Sequence, residues 1–223
     1  MKIGVGYTTY NRPKQMNNAY KKFKEHTFNV TSVKENGGTT VTQTPKDGNE
    51  YLFYAAEDTD NDRKGIAYRK NECLRALKDC DYIFLFDDDC FVIKDGWAKF
   101  FIDSGEDHLL FLSDKLHKPK GDGKYNDCGG VFMFMSKEMV EKVGAFDEKF
   151  GMYGFEHADY SNRILGEKNN YPMLYGTEGY VFAHDYSTEG HKSSITGLEK
   201  KNFVKENWDK YFTDEIKDVY LPL

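Results

Sequence analysis

The 223-residue sequence has few cysteines, no long apolar segment and no excess of positive charge. Its four cysteines, Cys73, Cys80, Cys90 and Cys128, show no C-x-x-C spacing, so neither a zinc site nor a redox pair is indicated, and free thiols in a reducing compartment are expected. No stretch reaches the length of a transmembrane helix. The formal net charge of −6 gives no electrostatic footprint for nucleic acid, and no basic block suggests a membrane surface.

The amino terminus also lacks the pattern of a secretory signal. Met1-Lys2 leads directly into a strand-like segment, residues 3–7, without an apolar h-region. We therefore expect a soluble, cytoplasmic protein without a membrane span. The length fits one domain, residues 1–223, with a sizeable core. Aromatic residues are abundant, at 16% of the chain, which favours a pocket that stacks on flat ligands or sugars.

Strand-like and helix-like segments alternate along the chain. Hydrophobic periodicity predicts strands at about 2–8, 28–33, 51–56, 82–86, 108–112, 129–135 and 179–184. Helices are predicted at about 13–25, 64–78, 95–102, from 136, at 156–166 and to about 211. This alternation predicts an α/β fold with a mixed, mostly parallel sheet flanked by helices.

Three segments between these elements carry predictions of their own. Asp95 is expected to cap the helix that follows it. Residues 34–50 are expected to form a mobile loop or a loose hairpin, and residues 113–128 a polar surface loop near the site.

The chain is organised around residues 82–91, where five apolar residues precede three aspartates. The apolar run is too short for a buried helix and predicts a strand covered on both faces in the middle of the sheet. Asp87, Asp88 and Asp89 follow, at the position where open α/β sheets bind ligands. Adjacent carboxylates repel one another unless a cation is present, and their oxygens suit Mg²⁺ or Mn²⁺. The alternative is an acidic turn that caps the next helix.

A second acidic run, residues 57–62, imitates the start of a calcium loop. An EF-hand would require glycine in place of Arg63 and glutamate in place of Arg69. We therefore interpret this run as a solvated turn that contributes at most one carboxylate to a ligand. Lys64 and Arg69, in the helix that follows, are candidates for phosphate contacts, or else belong to a solvated helix face.

Two later segments carry further candidates. An aromatic, glycine-rich loop at 151–155 delivers Glu156, His157 and Asp159 to the amino terminus of a helix, where the helix dipole favours carboxylates. The alternative there is a plain helix cap. An apolar strand ends at His184, which is a structural histidine unless it converges with Asp89.

In four places, and in the same order, these residues resemble motifs of the inverting GT-A glycosyltransferases. The likeness is to the broad family 2 type, with a second half similar to the animal beta-1,4-galactosyltransferase pattern. Residues 8–12 resemble the family's T-x-Y-N-[KR] turn around uracil, and residues 83–89 its D-x-D element. Residues 129–163 resemble its G-G-V, N-G-F and W-G-G-E-D-D-D-x-x-N-R elements, and His184 lies where the family has its metal-binding histidine. The resemblance spans roughly residues 2–190 and implies a GT-A, Rossmann-like fold.

The resemblance also implies roles. A donor half, about residues 1–112, would bind a nucleotide sugar, with UDP as the expected nucleotide, and about 113–223 would bind a carbohydrate or glycoconjugate acceptor. The implied donor contacts are Thr8 and Tyr10 at the uracil, Arg12 near the nucleotide, Asp87 toward the ribose or sugar, Asp88 beside it as a further donor contact, Gly130 where the backbone approaches the donor, and Tyr153 against the sugar.

A cation and a loop complete the implied site. Asp89 and His184 would bind Mn²⁺, or Mg²⁺, together with the diphosphate, whose developing charge must be neutralised as it leaves. Residues 185–197 would form a flexible loop that closes over bound donor and excludes water.

One position departs from the family pattern. Where the family usually has the aspartate that deprotonates the acceptor hydroxyl, this chain has His157. Imidazole ordinarily titrates near neutral pH and suits a base, but Glu156 is the slightly favoured base because a carboxylate can also stabilise an oxocarbenium-like transition state. In a third interpretation His157 only shapes the acceptor pocket. Asp159 is expected to bind an acceptor hydroxyl.

Three other functions are compatible with parts of the sequence. A haloacid-dehalogenase-like, metal-dependent phosphohydrolase would use Asp87 to Asp89 with Gly121-Asp122 and Asp127. It is opposed by Phe91 and by the polar residues 117–120 before the Gly-Asp pair. A nucleotidyltransferase would need a glycine-rich, basic triphosphate loop that the sequence lacks. A non-catalytic sugar-binding module would need neither Asp89 nor His184 as a metal ligand.

Overall fold

The computed structural model describes residues 1–35, 38–113, 129–168, 170–184, 197–213 and 220–223. The strands are β1 (Lys2–Tyr10), β2 (Phe28–Glu35), β3 (Gly38–Pro45), β4 (Glu50–Asp58), β5 (Tyr82–Asp87), β6 (Cys90–Val92), β7 (His108–Phe111), β8 (Gly129–Ser136) and β9 (Val181–Ala183). The helices are α1 (Pro13–Thr27), α2 (Ile66–Leu77), α3 (Trp97–Ile102), α4 (Lys137–Val143), α5 (Glu156–Leu165) and α6 (Gly197–Thr213). Short 3-10 helices occupy Glu148–Phe150 and Thr177–Gly179.

The main sheet has the order β4-β1-β5-β8-β7. Strand β1 pairs in parallel with both β4 and β5, whereas β8 is antiparallel to β5 and to β7. Four of these strands therefore run in one direction and β8 runs against them. The prediction of a mixed, mostly parallel sheet is confirmed, and β5 lies at its centre as its apolar sequence predicted.

Alternate residues of β5 serve the two faces of the sheet, as the period of a strand requires. Ile83 and Leu85 pack into the apolar cluster that α2 covers. Phe84 and Phe86 belong to the cluster on the other face, which α1 and α3 cover with residues such as Trp97. All five side chains are buried, and burial contributes on the order of 2 kcal/mol for each of them. This two-sided burial fixes the position at which the acidic residues leave the sheet.

Strand direction gathers several chain segments at one edge. Strands β1, β4 and β5 end at that edge with Tyr10, Asp58 and Asp87, and the reversed strand β8 begins there with Gly129. The carboxyl ends of parallel strands are where open α/β sheets place ligands. The fold therefore assembles the predicted donor residues and the Gly129-Gly130 pair on the same side of the molecule.

Two smaller ladders lie outside the main sheet. Strands β2 and β3 form an antiparallel hairpin that runs from the pair Phe28 and Pro45 to the pair Glu35 and Gly38. The hairpin alternative for residues 34–50 is thus the correct one. Strands β6 and β9 pair antiparallel, with Cys90 opposite Ala183. This second ladder ties the chain after the acidic turn to the segment that ends at His184.

The predicted role of Asp95 is wrong. Helix α3 begins after Gly96, which has a left-handed backbone (φ +74°), and no side chain caps the helix. The Asp95 carboxylate instead lies 2.7 Å from Lys46 Nζ and 2.9 Å from His26 Nδ1. The glycine turns the chain away, so the aspartate cannot reach the first amides of the helix. By contrast, Ser136 caps α4 as predicted, since its hydroxyl accepts from the Met139 amide.

Several predictions concern chain outside the described residues. They are the loop at 114–128, with Gly121-Asp122 and Asp127 of the phosphohydrolase alternative, and the loop at 185–196. Within the described ranges, Cys73, Cys80 and Cys90 are buried. No helix in these ranges combines the length and the apolar character that a membrane crossing requires.

Candidate active site

The acidic end of β5 is held by the end of β1. The Thr8 hydroxyl donates to Asp87 Oδ1 at 2.9 Å, and the Thr9 hydroxyl donates to Asp88 Oδ2 at 2.6 Å. Burial raises the pKa of Asp87 to about 6, although the nearby Lys70 ammonium opposes the rise. Because burial disfavours the charged carboxylates, a cation at this edge would gain strong electrostatic stabilisation.

Arg12 supplies one such positive charge. Its guanidinium donates to both oxygens of Asp88 and, at 3.1 Å, to Asp89 Oδ2. The preceding residue, Asn11, has a left-handed backbone (φ +50°), and Pro13 begins α1, so the chain turns sharply and aims Arg12 at the aspartates. The sequence placed Arg12 near the nucleotide, and the structure places it in the acidic cluster.

Asp89 and His184, the predicted metal ligands, are neighbours across a strand ladder. The β6–β9 register places them opposite each other, just beyond the pair Cys90 and Ala183, and the His184 amide donates to the Asp89 carbonyl at 3.1 Å. Residues opposite each other on paired strands have Cβ atoms about 5 Å apart. Two residues at this spacing can present a carboxylate and an imidazole to one divalent cation.

The protein alone does not complete a metal shell in the part of the chain that the structure describes. No group of three or more His, Cys, Asp or Glu residues there could hold a metal ion. Asp89 and His184 would therefore form a partial site that needs further oxygen ligands, such as those of a bound diphosphate. The predicted convergence of the two residues is present, while metal binding itself stays a prediction.

Glu156 lies at the first position of α5, deep in the protein and only 4% exposed. Its Oε1 accepts from Lys70 Nζ at 3.0 Å and lies 3.5 Å from His157 Nδ1. Its Oε2 is buried without a hydrogen-bond partner among the described residues. Burial alone would raise the pKa of Glu156, but the Lys70 charge and His157 hold that pKa well below its ordinary value. Glu156 is thus an ionised carboxylate, and its Oε2 accepts no hydrogen bond from the described residues.

His157 packs against the start of β8. A Cβ atom added to Gly130 would lie 2.3 Å from His157 Cγ and 2.5 Å from Nδ1, far inside ordinary contact distance. The sequence associated Gly130 with a close approach of the donor. The structure provides a second reason for glycine at this position, because the His157 ring occupies the space that a side chain would need.

The loop before α5 is bent and anchored from a distance. Phe155 adopts a left-handed backbone (φ +70°), which is unusual for a bulky residue. The buried Asn207 of α6 donates through Nδ2 to the carbonyls of Phe150, Tyr153 and Gly154 at 2.6, 2.9 and 3.2 Å. The Lys200 ammonium lies over the Tyr153 ring, 5.0 Å from its centre. Helix α6 therefore holds the loop that positions Glu156.

Asp159 is engaged elsewhere. Its carboxylate accepts from Arg163 Nε at 3.0 Å, and Arg163 also donates to the carbonyls of Val143 and Ala145. Burial raises the pKa of Asp159, and Arg163 opposes the rise. The pair fixes α5 to the end of α4, and the expected acceptor contact of Asp159 stays a prediction.

Lys64 and Arg69, which the sequence offers as phosphate contacts or as part of a solvated helix face, lie in different environments. Arg69 is buried and pairs with Asp58, Asp62 and Glu72 at 3.0, 2.7 and 2.7 Å. It is therefore not part of a solvated face, and a phosphate contact would require it to give up these pairs. The side chain of Lys64 is exposed, 3.5 Å from Asp62.

The turn at 57–62 also contacts Tyr10, which is predicted to bind uracil. The Tyr10 hydroxyl donates to Asp60 at 2.6 Å, and the Arg63 guanidinium covers one face of the Tyr10 ring at 4.6 Å. Arg63 in turn pairs with Glu199 of α6 at 3.5 Å. One face of the Tyr10 ring is thus already occupied by a cation.

Sequence reasoning missed Lys70 and Asn207. Lys70 carried a usable signal, because it is a charged residue on the apolar stripe of α2, between Ala67 and Leu74. Asn207 carried none, because its partners lie more than 50 residues away in the chain.

No protein-family model matches the chain. Among curated proteins, an uncharacterised glycosyltransferase of Acanthamoeba polyphaga mimivirus is 24% identical over 171 residues, which cover 66% of this chain and 67% of the relative.

Two solved structures share the fold. The mannosyltransferase PcManGT from Pyrobaculum calidifontis, solved with GDP-Man and Mn²⁺, matches 78% of this chain with 12% identity and a TM-score of 0.54. S. aureus TarS matches 96% of the chain with 12% identity and a TM-score of 0.52. The chain covers only 55% of PcManGT and 44% of TarS, about half of each. A TarS fragment, residues 1–349, was solved with UDP-GlcNAc and gives a TM-score of 0.52.

The resemblance predicted from the motifs agrees with these matches, and the haloacid-dehalogenase alternative gains no support from them. The protein has the GT-A fold of glycosyltransferases.

Proposed function

We propose that the protein transfers a sugar from a nucleotide-sugar donor to a hydroxyl group of a carbohydrate or glycoconjugate acceptor, with inversion at the anomeric carbon. UDP is the expected nucleotide. The observation that carries this proposal is the convergence at one sheet edge of the acidic turn and a buried carboxylate. Lys70 links the two, because it bonds Glu156 and lies close enough to Asp87 to interact with its charge.

The donor would lie across the ends of β1 and β5. Thr8 and Tyr10 would face the base, Arg12 the nucleotide and Asp87 the ribose or sugar. Asp88 would be a further donor contact. Asp89 and His184 would hold Mn²⁺ or Mg²⁺, which would supply the charge that a diphosphate leaving group requires. Support for the cation comes from the cross-strand placement of Asp89 and His184, and PcManGT was solved with Mn²⁺.

The acceptor hydroxyl would give its proton to Glu156 Oε2 as its oxygen attacks the anomeric carbon. The bond between that carbon and the phosphate oxygen breaks, and the nucleoside diphosphate leaves with the electron pair. Inversion follows from the resemblance to the inverting glycosyltransferases and from the assignment of a single base. We favour Glu156 over His157 as the base because Oε2 is buried and unused, whereas the His157 ring is packed against Gly130.

The remaining residues complete the proposal. Tyr153 would lie against the donor sugar and Asp159 would bind the acceptor. Lys64 is a candidate phosphate contact, and Arg69 would become one only after releasing its carboxylates. Residues 1–112 would form the donor half, 113–223 the acceptor half, and 185–197 the closing loop.

The test is calorimetric titration of UDP and, separately, GDP into the protein with Mn²⁺ and then with EDTA. We expect UDP binding that requires both the metal and Asp89, and that is lost in Asp89→Ala. The matched control is Asp103→Ala, which removes an exposed carboxylate at the end of α3. Sugar binding that survives Asp89→Ala without any nucleotide binding would favour the non-catalytic module. Binding of GDP alone would overturn the uridine assignment.

A further inference from the structure

We propose that Lys70 is the positioning residue of the candidate base, holding Glu156 so that Oε2 faces the acceptor hydroxyl. This inference rests on the proposed function and assigns a role to a residue that the motifs did not single out.

The Lys70 side chain connects three elements of the fold. Its side chain is 1% exposed, and Nζ donates to Glu156 Oε1 at 3.0 Å and to the Gly130 carbonyl at 3.1 Å. Glu156 belongs to α5, Gly130 to β8 and Lys70 to α2. The ammonium group therefore fixes the first turn of α5 against the sheet edge at the carboxylate that is to react.

The hydrogen bond from Lys70 also makes the two carboxylate oxygens of Glu156 different. Oε1 is engaged by Lys70 and lies near His157, whereas Oε2 is buried without a partner in the described parts of the chain. A buried, unbonded carboxylate oxygen is costly and is retained where it has a task. With Oε1 held, the proton from the acceptor has one oxygen left to receive it.

Stability alone gives no reason for a lysine at this position. A buried ion pair is often no more stabilising than apolar residues of the same volume. Leu74 and Leu77 occupy other buried positions of the same helix, so an apolar residue would fit the pattern of α2. A lysine here places a fixed positive charge beside Glu156, and the charge keeps the carboxylate ionised before the acceptor arrives.

Among the described residues, three titratable side chains act on or lie beside the Lys70–Glu156 pair. His157 lies beside Glu156 on α5, Asp87 approaches Lys70 from β5, and Cys73 follows it on α2. Burial raises the pKa of the Cys73 thiol to about 12, so it stays uncharged. Lys70 and His157 act on Glu156 in the same direction, and both favour its ionised form.

The experiment compares Lys70→Gln with the wild type. UDP-glucose, UDP-galactose and UDP-GlcNAc are first tested with the wild type in the presence of Mn²⁺. The one that is hydrolysed fastest then serves as the substrate. Gln keeps hydrogen-bond donors but removes the charge. We expect kcat to fall on the order of 100-fold, as misplacement of a reacting group can cause. The acid limb of the pH profile of kcat should move upward by about 1 to 3 pH units, as loss of a neighbouring charge implies. The affinity for UDP should stay at the wild-type value.

Two controls separate positioning from folding. Lys142→Gln removes another lysine that donates to a backbone carbonyl, that of Ile164 at 2.7 Å, and should leave the acid limb in place. Lys70→Arg keeps the charge and should lower kcat without moving the acid limb. An acid limb in Lys70→Gln that coincides with wild type, in protein that binds UDP normally, overturns the inference. If Lys70→Gln does not fold, an upward shift of the limb in Lys70→Arg overturns it instead.

Glu156→Gln separates a failure of the proposed base from a failure of the proposed role of Lys70. If it hydrolyses the donor at the wild-type rate, the proposed base is wrong and the role of Lys70 falls with it. If it is inactive while the Lys70 variants behave as wild type, only the present inference fails. Carboxyl NMR of Glu156 supplies a readout without turnover: we expect its titration to move to higher pH in Lys70→Gln, and an unchanged titration would contradict the inference.

Discussion

Replacing Gly130 with alanine tests the packing of the candidate site. The new Cβ would lie 2.3 Å from His157 Cγ and 2.7 Å from His157 Cβ, whereas ordinary contacts begin at 3.4 Å. His157 must therefore retreat by about 1 Å. A rotamer change cannot achieve this alone, because the Cβ atom of His157 is itself too close. Helix α5, which carries Glu156, has to shift with it.

The magnitude follows from two opposing terms. Overpacking a filled space typically costs about 1 to 3 kcal/mol. Gly130 does not have a left-handed backbone, so alanine is allowed there and recovers about 0.4 to 1 kcal/mol by restricting the unfolded chain. We expect Gly130→Ala to lower the free energy of unfolding by about 1 to 2 kcal/mol, or the melting temperature by about 2 to 8 °C.

Urea unfolding of a double-mutant cycle at Gly130 and His157 measures this effect. In a His157→Gly background the three clashing atoms, Cγ, Nδ1 and Cβ of His157, are all removed, and Gly130→Ala should then be neutral or slightly stabilising. Equal destabilisation in both backgrounds would refute the steric argument, and so would a Gly130→Ala protein as stable as wild type. Donor hydrolysis measured on the same proteins will show whether a shift of α5 reaches Glu156.

Two further predictions concern buried polar groups that support the site. Burial lowers the pKa of His108 to about 4, with Nδ1 bonded to the Phe134 carbonyl and Nε2 to Ser161. As the pH falls from 6.5 to 4 only the unfolded chain takes up this proton, so about 3 kcal/mol of stability is lost. Urea unfolding at pH 7 and pH 4.5 should show a smaller loss in His108→Gln than in wild type, and an equal loss contradicts the prediction. Asn207→Ala removes the donor to the buried carbonyl of Phe150 and to the partly buried carbonyls of Tyr153 and Gly154, and it should cost about 1 to 3 kcal/mol. Asn202→Ala, at an exposed position of the same helix, should cost nothing measurable. Equal midpoints for the two variants would contradict the assigned role.

The sheet was predictable because its signals are local. The apolar run before Asp87 has no polar residue to place on a solvent face, so a central strand was the consistent interpretation. Proline at position 13 and serine at position 136 marked helix starts that the structure confirms. The pattern misleads at Asp95, because an aspartate next to a helix predicts a cap, whereas the intervening glycine redirects the chain.

The candidate site was predictable only as a set of residue types. The motifs pointed to Asp89, Glu156 and His184, and strand order brings the first and last of these side by side. The contacts that organise the site are long-range: Lys70 reaches Glu156 across 86 residues, and Asn207 reaches the loop before α5 across more than 50. Such contacts depend on how helices pack on the sheet, which no local pattern encodes. The roles of the individual residues in binding and catalysis stay predictions.

The reversed strand β8 has a consequence for how such proteins diversify. Strand β7 ends and β8 begins at the edge of the sheet where the candidate site lies, with Phe111 opposite Gly129. The chain between them leaves and re-enters the sheet at the same edge, so its length can change without altering the register of either strand. Evolution could therefore exchange this one segment while the strands that carry the candidate site are inherited unchanged.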